Sequence, residues 1–96
     1  MSFKLEVKAV AIRQAAQAYK YYGQKSPGLG KRYIAALEEA YATLREEPFF
    51  QVRKAPYRHL KLRRFPYRLV YEVLNESVVI YQVRHTNRKP HRKYGP

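Results

Sequence analysis

The chain contains no cysteine, which excludes disulfides and thiolate metal sites. No stretch approaches the ~20 apolar residues that a membrane helix requires. Met1 to Lys8 alternates instead of forming the apolar run of a signal peptide, so a soluble, cytoplasmic protein with no membrane partner is expected. The three histidines, His59, His85 and His91, lack a clustered ligand spacing, which argues against a metal site. Acidic residues are scarce, and the Glu38, Glu39, Glu46 and Glu47 group reads as the solvated face and end of a helix, which argues against a carboxylate-based hydrolase. Internal repeats, linkers and low-complexity tracts are absent too.

What is present is positive charge. Twenty Lys+Arg against seven Asp+Glu give a formal net charge of +13 and a pI near 10.2, which points to an anionic partner, and nucleic acid is the commonest anion large enough to need so much charge. The charge is uneven. Residues 1 to 50 hold eight Lys/Arg and five Asp/Glu, net +3, whereas residues 51 to 96 hold twelve and two, net +10. A hydrophobic content of 46% in 96 residues suffices for one modest core, so a single domain spanning residues 1–96 is expected.

Along the chain the apolar period changes from two to about 3.6 and back. Phe3, Leu5 and Val7 alternate with Lys4, Glu6 and Lys8, predicting a short opening strand. From Ala9 to Gln24 the spacing of Ile12, Ala15 or Ala16, Tyr19 and Tyr22 predicts a helix. Ser26 and Pro27 read as a cap and first residue of a second helix, with Gly28 and Gly30 weakening that turn or forming a loop instead. Its stripe is Tyr33 or Ile34, Leu37, Ala40 or Tyr41, and Leu44, and Pro48 ends it. Tyr19, Tyr21, Tyr22, Tyr33 and Tyr41 sit at helical spacings and read mostly as core or helix interface.

Beyond Pro48 the pattern is β-rich: a weak segment near Gln51 to Lys54, then Tyr57 to Arg64, Tyr67 to Leu74, and Val78 to His85. The last two, joined across Asn75, Glu76 and Ser77, predict an antiparallel hairpin. Alternation puts Arg68 on the face opposite Leu69, Tyr71 and Val73. In the preceding strand it puts Leu60 and Leu62 on one face, with Tyr57, His59, Lys61 and Arg63 on the other. The expected fold is α+β, a two-layer sandwich in which an N-terminal strand and a helical hairpin pack on a three- to four-stranded, mainly antiparallel sheet. His85, ending a strand, reads as a local hydrogen-bonding residue, and the basic tail from Thr86 to Pro96 as irregular.

This order of elements, with SPGLGKRYIAALEEAYATL in the helical hairpin followed by RRFPYRLVYEV and VVIYQVRHTNRKP, resembles the RelE/ParE superfamily of toxins from type II toxin–antitoxin systems. The resemblance covers nearly all the chain and implies a fold similar to microbial ribonucleases. It also implies a cognate acidic antitoxin as partner. RelE-like members cut messenger RNA in the ribosomal decoding site, and ParE-like members poison DNA gyrase. Aligning RLVYEV without gaps places His59, Lys61, Arg68, Arg88 and Tyr94 on the positions that surround the scissile phosphate in RelE-like nucleases, with His59 standing where a lysine is familiar. The helical hairpin with its PGLG turn looks closer to ParE. The favoured expectation is a ribosome-dependent mRNA endoribonuclease. A non-enzymatic gyrase inhibitor and a basic RNA-binding module are the alternatives.

The chemistry expected of those positions needs no cofactor. RNA cleavage without metal requires the ribose 2′-OH to be deprotonated, the phosphorane charge to be neutralised and the 5′-oxygen to be protonated or shielded. In a crowd of cations each added proton meets repulsion, which makes Lys61 or His59 a candidate base. Arg68 is the candidate phosphate clamp and Arg88 the candidate stabiliser of the transition state or leaving oxygen. Tyr94 is the candidate for stacking on a splayed base or orienting the attacking sugar.

Overall fold

Alternating Lys4–Val7 forms β1, whose parallel pairing with β5, Ser77–His85, runs from Lys4 against Ser77 to Val7 against Ile80. The computed structural model describes residues 2–50 and 52–87. Two helices follow β1, α1 over Ala9–Lys25 and α2 over Leu29–Glu46, and then β2 (Val52–Lys54), β3 (Tyr57–Lys61), β4 (Tyr67–Leu74) and β5. The strands form a five-stranded sheet in the order β1-β5-β4-β3-β2, antiparallel except for β1. The expected α+β architecture is therefore present, with β1 belonging to the sheet itself.

Ser26 is the C-cap of α1, its N–H donating to the Tyr22 carbonyl, and Gly28 is the N-cap of α2, so the expected Ser26–Pro27 helix start lies in the turn. Gly30 is required for another reason. A Cβ there would meet the Gly23 Cα at 3.2 Å, so the two glycines let the helices touch backbone to backbone.

The apolar stripe of α1 differs from the expected one. Ala11, Ala18 and Tyr22 are buried, whereas Ile12 is 56% and Tyr19 48% exposed. Tyr21 is exposed also. Small alanines let α1 lie close to the sheet, and this alanine face, one position round the helix from Ile12 and Tyr19, is the one that packs. On α2 the expected stripe is the observed one, with Tyr33, Leu37, Ala40 and Leu44 buried.

The helices cover one face of the sheet, where Leu62, Leu69, Tyr71, Val78, Ile80 and Val83 join the core. Aromatic rings tie the layers together. Tyr22 and Tyr33 meet Phe65 edge-on at 5.0 and 5.6 Å between centroids, and both meet Tyr67. Burial, with Tyr67 close by, pushes the Tyr22 hydroxyl up to about 12. The Tyr33 hydroxyl donates to the Ala15 carbonyl at 3.2 Å, and Tyr71 donates to the Pro48 carbonyl at 2.7 Å, pinning the segment after α2. Among the described residues no helix is long and apolar enough to cross a membrane.

Candidate polyanion site

The hairpin turn between β4 and β5 takes two residues, with Asn75 in the left-handed region at φ 54 and Ser77 already paired with Leu74. From that turn the pairing runs regularly to Tyr71 against Ile80, then shifts, so that Val70 faces Gln82 and Tyr81 is the extra residue of a β-bulge. Without the bulge Arg68 would face Val83. With it, Val83 turns into the core and Arg84 stands directly opposite Arg68. On the other side Arg68 faces Lys61 of β3. One row across three strands therefore reads Lys61, Arg68, Arg84, on the face away from the helices.

The next row on this face is His59, Val70, Gln82. His59 and Arg84 are each 7% exposed and Gln82 is 1% exposed, so this is a recessed polar patch rather than a solvated charged surface. Arg68 Nη1 lies 3.4 Å from His59 Nδ1. Since a guanidinium only donates, His59 Nδ1 is the acceptor there and its ring proton belongs on Nε2. Burial and then the neighbouring Arg68 charge hold the Arg84 guanidinium below its ordinary range. Arg68 Nε and Gln82 Nε2 are buried and find no hydrogen-bond partner among the described residues. Buried N–H donors beside two opposed cations suit an oxyanion that accepts from several of them together.

The Lys61 ammonium, on an exposed residue, donates to the Leu62 and Phe65 carbonyls at 3.4 Å each, long contacts that brace the β3–β4 turn. Within that turn Arg63 reaches Glu39 of α2 at 3.8 Å, on the helix side, so it does not share the face of His59 and Lys61 as alternation predicts. Strand β3 ends at Lys61, and alternation lapses where the strand does. Farther along the open face, Tyr81 donates to Glu72 at 2.8 Å, and burial together with that carboxylate pushes the Tyr81 hydroxyl up to about 12. His85 Nδ1 accepts from the Asn87 N–H at 3.1 Å, a local hydrogen bond of the kind expected.

Of the expected site residues, His59, Lys61 and Arg68 stand together, while Arg88 and Tyr94, with the tail residue His91, lie outside the described residues. Arg84 is the residue that alternation misses. Its signal is the spacing of Val78, Ile80 and Val83, where an unbroken strand would put the third apolar residue at position 82. Among the described residues no group of three or more His, Asp and Glu is placed to hold a metal.

A family model described as "ParE toxin of type II toxin-antitoxin system, parDE" matches residues 5–90. Comparison with curated proteins gives no match. Among solved structures, the chain resembles one from the chromosomal ParDE toxin–antitoxin system of P. aeruginosa, at a TM-score of 0.78 and 15% identity, over 90% of this chain and 98% of that one. It also resembles a chain from the RelBE2 toxin–antitoxin complex of Mycobacterium tuberculosis, at 0.57 and 24%, over 88% and 99%. Both likenesses concern the fold.

Proposed function

We propose that the chain, which belongs to the ParE toxin family of type II toxin–antitoxin systems, acts through the Lys61–Arg68–Arg84 row on a nucleic-acid phosphodiester, as a ribosome-dependent, metal-free mRNA endoribonuclease. The observation that carries this reading is the direct opposition of Arg68 and Arg84 on a recessed face, where two guanidinium groups can grip one phosphate. In the proposed reaction the arginine pair neutralises the phosphorane. His59 positions Arg68 through Nδ1. Lys61, exposed and held by long contacts among the described residues, takes the 2′-OH proton in its neutral amine form. Attack of the 2′-oxygen on phosphorus expels the 5′-oxygen, which takes up a proton from water, and leaves a 2′,3′-cyclic phosphate and a 5′-hydroxyl end. Arg88 and Tyr94 keep their expected roles in this reading, Arg88 stabilising the transition state or leaving oxygen and Tyr94 stacking on a splayed base or orienting the attacking sugar.

Purified protein added to ribosomes that carry a defined message, with ends mapped by primer extension, tests this. New ends within the message are expected, and their absence at catalytic concentrations rejects the nuclease. The family match itself favours a second reading, gyrase inhibition without chemistry, which predicts loss of DNA supercoiling with the message left intact. Either way the neighbours' titles support an antitoxin as partner, and the charge of +13 suits an acidic one that covers basic surface.

A further inference from the structure

Strand β1 pairs with β5 only as far as Ile80, so the second half of β5 has an edge that β1 does not cover. Between that edge and α1 runs a groove of about 780 Å³. Gln14, Gln17, Tyr21 and Lys25 of α1 form one wall, and Tyr67 and His85 stand across from them. None of the described residues lining it carries a carboxylate, and Arg84 belongs both to the groove and to the cationic row. Tyr21 is 49% exposed, and the Lys25 ammonium lies 4.9 Å from its ring centroid.

We propose that this groove receives a base of single-stranded nucleic acid, stacked on Tyr21, while the adjoining backbone phosphate rests on Arg84 and Arg68. The inference rests on the phosphodiester reading of the cationic row. Amides supply donors and acceptors for a base edge, an exposed tyrosine supplies a stacking platform, and Lys25 supplies charge for a flanking phosphate. A peptide adding as a further strand suits the groove less well. The Val83 N–H that it would pair with already donates to Gln14 Oε1 at 2.7 Å, so that bond would first have to break.

The test is fluorescence anisotropy with two labelled probes, a 2′-O-methyl oligoadenylate hexamer, which resists cleavage through the 2′-oxygen, and an abasic phosphodiester of the same length. Tyr21→Ala is expected to weaken the hexamer about tenfold, or about 1.4 kcal/mol, as loss of one stacked base should. The abasic probe should bind as before, and Tyr21→Phe should keep the wild-type affinity for both. Arg68→Ala should weaken both probes. If Tyr21→Ala leaves the hexamer unaffected, or weakens both probes alike, the base site is overturned. In that event a loss of both probes with Arg68→Ala leaves the cationic row standing. If Arg68→Ala changes neither probe, the phosphodiester reading fails and the base site with it.

Discussion

The two faces of the sheet are made by alternate residues of the same strands and do opposite work. On the helix side Leu69, Tyr71, Val78, Ile80 and Val83 are fully or nearly fully buried, and the Tyr71 hydroxyl has its carbonyl. On the open side Arg68 opposes Arg84, a like-charge pair across strands that costs stability, and buried donors lack partners among the described residues. A face built for stability pairs its polar atoms and separates its charges. At the Arg68–Arg84 row the open face sets two cations together and leaves Arg68 Nε and Gln82 Nε2 without a partner among the described residues, an arrangement that suits an anion.

The sharpest way to break this contrast is to change adjacent residues. Leu69→Ala, on the helix side, should cost about 3 kcal/mol of unfolding free energy in denaturant melts, and toxicity should fall only as far as the folded fraction does. Arg68→Ala, one residue away, should reduce message cleavage about a hundredfold while leaving thermal stability equal or higher, since a like-charge contact is removed. If Arg68→Ala unfolds the protein, the division of labour between the faces is wrong.

Smaller effects sharpen the helix-side half of the comparison. Gly30→Val forces a side chain against the Gly23 backbone and should cost about 2 kcal/mol. Tyr71→Phe leaves the Pro48 carbonyl without its donor and should cost about 1 kcal/mol with cleavage per folded molecule unchanged. A pH titration gives the gentlest test. Tyr22 ionises near 12 in the fold against an ordinary value of 10, so above pH 10 the unfolded chain gives up its proton first. Stability from this group is therefore complete below pH 10 and is lost as pH rises through 12. Melting temperatures should fall across that interval, and less steeply in Tyr22→Phe.

Much of this arrangement was legible from periodicity. The strand–helix–helix–strand order, the buried stripe of α2 and the placing of Arg68 opposite Leu69 all follow from local spacing. The stripe of α1 keeps Tyr22 but departs from local spacing at Ile12 and Tyr19, which look more like core than alanines do. Which face packs depends on how near the helix can come to the sheet, and alanine comes nearest. Ser26 and Pro27 have the chemistry of a helix start but lie in a turn too short to give α2 that extra residue. Arg63 left its expected face because β3 had already ended.

Composition and alternation alone determined that this chain is a basic α+β molecule with cations on one side of its C-terminal hairpin, because side-chain direction along a regular strand is a local property. Only the tertiary structure decided that Arg84 joins Arg68. A single extra residue at Tyr81 reverses the facing of everything after it, and whether that slip occurs is settled by where Ile80 and Val83 can both enter the core beneath the helices.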